Sequence, residues 1–365
     1  MKQARIIGGI WCLAIIGLYV IKGSFFSMVA MILTFGIIAL SGITLALWKK
    51  KYNVWVKVKE QINKNQETEI TITLINNSIM PICMALGNLK ISNTVTREEI
   101  VNPVRLIGGS KAKGEHTFII KEKYCGCLEI DLVLNRLLDP LMIFARRLDI
   151  SVSKYCYIMP NVMEYPISKD ELDSYDMDSY IYSNEKKGND PSETFGIREY
   201  QVGDSPKTIH WKLTSKMGEV MVRELGLPVE NSLLLLLDNR VEPDEDKTGG
   251  EEKLSLRDKS VELFFSLSKS LIKQQLSHSI GWYDYRNQSY NQKKIGNIGD
   301  LYNLMGRVLN SPFGEDVISI PIHFIENREQ SEFANYIIVT ANDFVDVTRL
   351  ENYGAVKVKR AGEYN

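Results

Sequence analysis

The chain has 365 residues and a mass of 41.6 kDa, a length that corresponds to about two domains of roughly 100–200 residues each. Charged residues make up 24% and hydrophobic residues 44%, which excludes a chain that is disordered throughout. The first 48 residues carry three basic and no acidic side chains, so with a total net charge of −1 the rest carries −4, which argues against a general nucleic-acid binder.

Two uncharged apolar segments near the N-terminus predict a transmembrane hairpin over residues 1–51. The first, Ile6 to Ile21, has 16 residues, and the second, Phe25 to Trp48, has 24. At about 1.5 Å per residue the second segment spans roughly 36 Å, enough for a bilayer core of about 30 Å. A cleaved signal peptide is the alternative for the first segment, but no small-x-small cleavage site follows it.

Basic residues predict the orientation of this hairpin. Lys2 and Arg5 precede it and Lys49–Lys51 follow it, whereas the turn holds Lys22 alone. Since positive charge stays on the cytoplasmic side, we expect a two-pass protein of the cell membrane whose soluble domains are cytoplasmic. A reducing compartment also suits five cysteines, too few and odd in number for a secreted disulfide scaffold. The expected interface anchors are Trp48, Tyr52 and Trp55.

Residues 52–160 predict a small all-β sandwich. Apolar and polar residues alternate in several short stretches, such as Ile70 to Leu74 and Leu128 to Leu134, separated by turn residues. Within this region Cys125 and Cys127 are two residues apart and share one face of a predicted strand. We interpret them as small buried residues; a metal or redox pair is the alternative, but zinc sites need four ligands.

Residues 161–191 predict a connector. They hold eight acidic residues, three lysines and a turn-forming run, Asn184–Asp190. Four tyrosines indicate that parts of the connector contact a folded domain. They are Tyr165, Tyr175, Tyr180 and Tyr182.

The pattern changes to α/β after residue 192. In Ser232–Asp238 five leucines follow one another, as a strand covered on both faces requires, and Asn335–Thr340 is a second largely apolar run. Helical periodicity separates these strands, and Ala355–Arg360 is a candidate last strand. The alternation of strands and helices predicts a doubly wound parallel sheet over residues 192–365.

The densest cluster of charged residues lies between Phe195 and Leu225. A turn is expected at Gly203–Pro206, with Asp204 or Ser205 capping a short helix that starts near Pro206, and a strand is expected at residues 220–225. The cluster is either a surface for a partner or an anionic ligand, or an internally paired structural segment.

This cluster resembles the signature of the domain-of-unknown-function family 58, and Asp139-Pro140 with the following Leu-Met-Ile-Phe is similar to another segment of that family. Lys207 stands where the family usually has arginine. The residues that match the signature are Gly196, Arg198, Glu199, Tyr200, Gly203, Asp204, Lys207, His210, Trp211 and Lys212.

The resemblance implies that the C-terminal domain is von Willebrand factor A-like. Such domains often hold Mg²⁺ through Asp-x-Ser-x-Ser after the first strand. Here Asp238 is kept, but both serines are missing and Arg240 would oppose a cation. Thr340 and Asp343 could add oxygens without restoring the set. We therefore expect no cofactor, with Mg²⁺ at Asp238 as the doubtful exception.

The resemblance also implies a partnership with MoxR-type AAA+ ATPases. We expect a non-enzymatic membrane-anchored adaptor or scaffold that contacts its partner through residues 198–223, the edge at Asp238 and the acidic run Glu242–Lys253. Two alternatives stay open: a hydrolase that uses Asp204 and His210 as an acid/base pair, and a metal-dependent von Willebrand factor A-type binding module.

Overall fold

The computed structural model of the chain forms two compact units, Met1–Met159 and Pro160–Asn365. The structure describes residues 2–47, 52–77, 82–139, 141–167, 182–201, 203–228, 233–242, 250–327 and 333–363.

The first unit begins with two apolar helices, α1 (Lys2–Lys22) and α2 (Phe25–Leu47). Both are long and apolar enough to cross a membrane, which confirms the two predicted helical segments. Gly23 makes the turn between them at φ +54°, a backbone conformation that glycine adopts without steric cost. Its amide donates to the carbonyl of Tyr19 and so ends α1.

In the part of this unit that the structure describes, eight strands follow and form two sheets. The three-stranded sheet has the order β1-β3-β6, and the five-stranded sheet has the order β2-β8-β7-β4-β5. The strands are β1 (Tyr52–Lys57), β2 (Gln61–Asn63), β3 (Glu67–Asn76), β4 (Ile82–Asn93), β5 (Glu99–Gly108), β6 (Lys113–Lys121), β7 (Gly126–Leu138) and β8 (Ala145–Met159).

The two sheets share one hydrophobic core, as the predicted sandwich requires. Ile70, Ile72 and Leu74 of β3 are buried and belong to the same cluster as the alternate residues Leu128 to Leu134 of β7. Cys125 and Cys127 are buried as predicted, and Cys156 is buried in the same core cluster as β3. Burial, with a smaller effect of Glu122, raises the pKa of the Cys156 thiol to about 11. This thiol is therefore protonated and unreactive at neutral pH.

The second unit is built around a five-stranded sheet of order β14-β13-β11-β16-β17. Its strands are β11 (Leu233–Asp238), β13 (His278–Asp284), β14 (Ser289–Ile295), β16 (Asn335–Thr340) and β17 (Ala355–Arg360). All of these strands run parallel except β14, which pairs antiparallel with β13 at the edge. The sheet is therefore mixed and not wholly parallel as predicted, because a short turn joins β13 to β14 where a parallel strand would need a crossover.

Both faces of the central strand β11 are covered, because all six of its residues are buried. Leu234 and Leu236 pack with Ile320 and Phe324 on one face. Leu235 alternates with them and so points to the other face. The helices of this unit are α3 (Trp211–Met217), α4 (Gly250–Lys273), α5 (Ile298–Asn310) and α6 (Ile320–Asn327); two-residue strands β12 (Arg240–Val241) and β15 (Gly314–Glu315) pair with each other.

The first residues of the predicted connector lie along α4. The amide of Met163 donates to Ser266 Oγ at 3.1 Å, and the amide of Tyr165 donates to Ser270 Oγ at 2.8 Å. The amide of Asn161 likewise donates to Glu262 Oε1 at 2.9 Å. Polar side chains of a buried helix thus satisfy alternate amides of an extended segment, which explains their presence in α4.

The predicted turn at Asn184–Asp190 is wrong. These residues lie in β9 (Tyr182–Glu199), which pairs antiparallel with β10 (Met221–Pro228) through several register shifts. The pairing is discontinuous there, because Lys187 lies opposite Gly226 and Thr194 opposite Leu225, which leaves residues 188–193 without a counterpart on β10. The expected tyrosines Tyr175 and Tyr180 lie outside the described residues.

His278, the first residue of β13, predicts a pH dependence of the second unit. It is buried, its Nε2 lies 2.7 Å from Ser268 Oγ, and burial lowers its pKa to about 4. Between pH 6.5 and about 4 the unfolded state therefore binds more protons than the folded state. The stability that neutral His278 contributes at neutral pH is lost as the pH falls through that range. Its full size is about 3 kcal/mol.

The measurement is amide hydrogen exchange in β11 and β13 of the full chain at pH 7 and pH 5, corrected for intrinsic rates. The free energy of opening of β11 and β13 should be lower at pH 5 than at pH 7, and His278→Asn should remove most of that difference. His116→Asn, at an exposed position of β6, is the matched control and should leave it intact. An unchanged pH difference in His278→Asn would contradict the prediction.

Candidate functional site

The signature residues 196–212 are held by the pairing of β9 with β10. Arg198 lies opposite Val222 and Glu199 opposite Met221. Between the two strands, Ser205 Oγ accepts from the amide of Lys207 at the start of a 3-10 helix, Pro206–Thr208. The predicted cap is therefore present, and the short helix that follows it is a 3-10 turn.

An ion-pair cluster around Arg198 fixes the turn that follows β9. Arg198 binds Asp204 through two parallel hydrogen bonds of 2.7 Å, and its Nε lies 2.9 Å from Glu224 Oε1. Asp204 also accepts from the amide of Gln201. The hydrogen bonds to Asp204 raise the pKa of Arg198. Two parallel hydrogen bonds between a guanidinium and a carboxylate fix the relative orientation of the two groups. The cluster therefore positions the turn.

His210 has a capping role in this segment. Its Nδ1 accepts from the amide of Leu213 at 3.2 Å, which makes it the N-cap of α3. At the other end of α3, Gly218 adopts φ +78° and its amide donates to the carbonyl of Thr214. Such left-handed residues commonly terminate helices. The seven-residue helix α3 is therefore defined at both ends by residues of the signature region.

The two signature glycines occupy positions that disfavour other residues, Gly203 through its backbone angle and Gly196 through the space around it. Gly203 has φ +112°, which only glycine adopts readily, and it lies in the turn closed by the amide of Asp204 on the carbonyl of Gln201. A Cβ on Gly196 would come within 3.2 Å of Glu224 Oε2. Gly196 thus leaves room for the carboxylate that binds Arg198.

Large side chains extend into solvent around this scaffold. The amide of Tyr200 donates to the carbonyl of Val220, and the amide of His210 donates to the carbonyl of Met221, so three chain segments meet here. Trp211 is 66% exposed. We call the following exposed residues the signature surface: Tyr200, Trp211, Lys212, Met217 and Val220. Lys207 is exposed in the adjoining turn.

A second polar cluster lies at the carboxyl end of β11. The carboxylate of Asp238, only 1% exposed, accepts from Thr340 Oγ1 at 2.9 Å and from Asn342 Nδ2 at 3.1 Å. Burial raises the pKa of Asp238, while Arg240, Thr340 and Asn342 act in the opposite direction. The sequence pattern had singled out Asp238 and Thr340, and the structure adds Asn342.

Arg240 fills the space beside Asp238. Its side chain is 6% exposed, and its Nε lies 3.9 Å from Asp238 Oδ1. The guanidinium donates to the carbonyl of Phe344 at 2.6 Å and to Glu242 Oε1 at 3.2 Å. It is therefore fixed by contacts within its own segment and with the segments at Phe344 and at Val317, whose carbonyl also accepts from it.

This cluster does not fit a divalent cation. A hard cation needs several oxygen lone pairs directed at one point. Here a hydroxyl and an amide N–H of Thr340 and Asn342 are directed at Asp238, and a permanent positive charge lies beside it. Asp343 is the other residue expected to supply an oxygen ligand. Its backbone carbonyl accepts a hydrogen bond from Arg360 Nε. The acidic run Glu242–Lys253 lies largely outside the described residues, which omit 243–249.

The sequence match to a known family begins at the signature. Residues 196–274 match the model of the family described as protein of unknown function DUF58. This match covers the signature surface, the ion-pair cluster, β11 and all of α4. No curated protein matches the chain in sequence.

Solved structures resemble the chain only in part. A CARDB domain from Pyrococcus furiosus is 11% identical, with 30% of this chain and 87% of that chain covered and a TM-score of 0.23. A superoxide reductase (neelaredoxin) from Ignicoccus hospitalis is 12% identical, with 30% and 82% covered and a TM-score of 0.21. A beta-glucosidase from Listeria innocua is 6% identical, and the match spans 16% of that chain and 29% of this one at a TM-score of 0.21.

The geometry of Arg198 predicts that lysine cannot replace it. Lysine offers a single ammonium where arginine binds Asp204 and Glu224 together, so the turn at residues 199–204 should open more often. We expect amide exchange there to be faster by roughly three- to tenfold in Arg198→Lys. Arg223→Lys, an exposed position on β10, is the control and should exchange like the wild type.

The contacts of Asp238 predict insensitivity to magnesium. Millimolar Mg²⁺ should leave the thermal midpoint of the second unit unchanged, because the carboxylate already accepts hydrogen bonds and faces Arg240. Differential scanning calorimetry with Mg²⁺ and with a chelator makes the comparison, and sodium chloride of equal ionic strength is the control. A rise of several degrees specific to Mg²⁺ would refute this account of the site.

Proposed function

We propose that this protein is a membrane-anchored scaffold that binds another protein through the signature surface. The hairpin α1–α2 is its anchor, the sandwich and the second unit lie on the cytoplasmic side, and the sheet around β11 is a von Willebrand factor A-like domain. The partner that the family resemblance favours is a MoxR-type AAA+ ATPase. The protein itself has no catalytic role in this proposal.

The exposure of Trp211 is the observation that carries the proposal. Tryptophan is enriched at the energetic centres of protein interfaces, and exposing it to water has no benefit for folding. Trp211 stands on a short helix fixed at both ends by His210 and Gly218. The side chain is thus presented on an ordered support, which lowers the entropy that a partner must overcome on binding.

The internal ion pairs support a scaffold over a hydrolase. Asp204 is engaged by Arg198 and by the amide of Gln201, and His210 Nδ1 is engaged by the amide of Leu213. A general acid or base needs a free proton-transfer position directed at substrate. Both residues instead stabilise the shape of the segment, which leaves the exposed residues to make the outward contacts.

Membrane anchoring makes a modest interface sufficient. Attachment to the bilayer confines the protein and a membrane-associated partner to a thin layer, which raises their effective concentration. Lys212 beside Trp211 adds a positive charge to the signature surface, so a partner with acidic residues around an apolar pocket would be complementary.

The test is capture of partners by the full-length protein from gently solubilised membranes, with and without ATP. Trp211→Ala should lower recovery of the AAA+ ATPase roughly tenfold, as for truncation of an interface hot spot. Tyr302→Ala is the matched control, because Tyr302 is an aromatic residue of α5 that is 51% exposed and lies outside the signature surface.

Two outcomes would contradict the proposal. Equal recovery by Trp211→Ala and wild type, with both proteins folded and abundant, would remove the signature surface as the docking site. Failure of wild type to recover an ATPase under any nucleotide condition would remove the partner.

A further variant reverses the charge of Asp244, Glu245 and Asp246. Weaker capture by this variant would show that the acidic run contributes, and unchanged capture would remove that run from the interface.

A further inference from the structure

The connection between β7 and β8 contacts both apolar helices within the first unit. Arg5 Nε of α1 donates to the carbonyl of Ile143 at 2.8 Å. From the other side, Ser41 of α2 donates to the carboxylate of Asp139. We call Asp139 and residues 141–144 the interface loop.

Close packing accompanies these hydrogen bonds. A Cβ built on Gly8 of α1 would lie 3.5 Å from Ile143, and one built on Gly42 of α2 would lie 3.4 Å from Phe144. Gly8 is six residues from the start of α1 and Gly42 five residues from the end of α2. At 1.5 Å per residue, both contacts lie about 8–9 Å inside the hairpin from the end opposite its turn.

With the hairpin inserted as proposed above, the interface loop lies near the boundary between headgroups and acyl chains, where irregular backbone is costly unless its polar groups are satisfied. Asp139, 1% exposed, meets that need by accepting from the amide of Phe144 at 2.7 Å and from the amide of Leu141 at 3.3 Å. Met142 adopts φ +56°, an uncommon conformation for a residue with a side chain. The loop is thus a fixed structure with its polar groups turned inward.

The outer side of the loop is apolar. Leu141, Met142 and Phe144 all remain exposed while the carboxylate of the same loop is buried. This distribution is the reverse of that in an ordinary surface turn, where polar groups face water and apolar groups face the core. An apolar medium around the loop would account for it.

Arginines surround this apolar tip. Arg136 of β7 lies directly opposite Arg147 of β8, and both are exposed. Like charges at such a cross-strand position repel each other, so an anion between them would be favourable. Arg146 beside them donates to the carbonyls of Leu45 and Ala46 at the end of α2. The Arg146 guanidinium is consequently placed at the end of α2, and Arg147 is its neighbour along β8.

We propose that the interface loop is a third membrane contact, distinct from the two helices. Leu141, Met142 and Phe144 insert among the lipids at the boundary between headgroups and acyl chains, and Arg136 and Arg147 bind the phosphate of an anionic phospholipid. This inference rests on the proposed insertion of the hairpin α1–α2 in the membrane. The interface loop would attach the sandwich to the bilayer surface at a fixed site, because the loop joins two long strands of the five-stranded sheet.

The test is the environment of an NBD fluorophore on Met142→Cys in the full-length protein, reconstituted in nanodiscs of phosphatidylcholine and phosphatidylglycerol. The background carries Cys12→Ser and Cys83→Ser, and the three remaining cysteines are buried. We expect quenching by lipids with a doxyl group near the headgroup and protection from iodide. Lys154→Cys, exposed and about 30 Å further along β8, should show the reverse.

A label on Leu33→Cys, exposed at mid-length of α2, separates this inference from the proposed anchor. If this label is quenched by the lipids while the label at Met142→Cys is open to iodide, the hairpin is inserted and the loop inference is overturned alone. If the label at Leu33→Cys is open to iodide, the membrane anchor and the loop inference both fail.

The lipid-binding part has its own readout. The double variant Arg136→Gln, Arg147→Gln should retain several-fold less phosphatidylglycerol on purification from mixed nanodiscs, measured by mass spectrometry of bound lipid. The control variant, Arg105→Gln with Lys121→Gln, removes two exposed charges from β5 and β6. An equal loss of lipid in both variants would overturn the assignment of the phosphate site.

Discussion

A carboxylate that is buried away from water needs hydrogen-bond donors. At three places in this chain those donors come from residues distant in sequence. Asp238 is satisfied by Thr340 and Asn342, about 100 residues later. Glu262 receives the amide of Asn161, and Asp139 receives the hydroxyl of Ser41. Each contact lies within one of the two units and connects elements that apolar packing alone would leave free to slide. Removing a donor would leave a buried charge unpaired, which costs more than the hydrogen bond contributes.

Arg240 extends this principle to the edge of the sheet. In open α/β sheets the carboxyl ends of the strands are the usual place for ligands. Here the guanidinium lies at that position, hydrogen-bonded to the carbonyl of Phe344 and close to Asp238. A charge supplied by the protein is permanent, whereas a bound cation exchanges with solvent. Any contact made at this edge would then be independent of metal concentration, and the neighbouring acidic side chain of Glu242 would be the part directed outward.

Much of the fold could be predicted from the sequence because its apolar patterns are strong. The two N-terminal helices, the alternation in β3 and β7 and the continuous run in β11 each have a clear period. The strand β14 was missed because its sequence, Ser289–Ile295, is mostly polar, as an edge strand tolerates. The short helix α3 was missed because it depends on a histidine cap. Arg198 and Asp204 were recognisable as candidates, but their pairing with Glu224 depends on the register between β9 and β10, which local sequence does not specify.

The signature region and the interface loop share one arrangement of charged and apolar side chains. In both, a charged group of a short irregular segment is hydrogen-bonded within the protein: Arg198 to Asp204 in the first, Asp139 to Ser41 in the second. In both, apolar side chains are left outside, Trp211 in the first and Phe144 in the second. Internal pairing removes the conformational freedom of the segment before anything binds, so the outward apolar groups lose little entropy on contact. In the two proposals, the charges that remain exposed nearby, on Lys212 and on Arg147, favour an acidic protein and an anionic lipid, respectively.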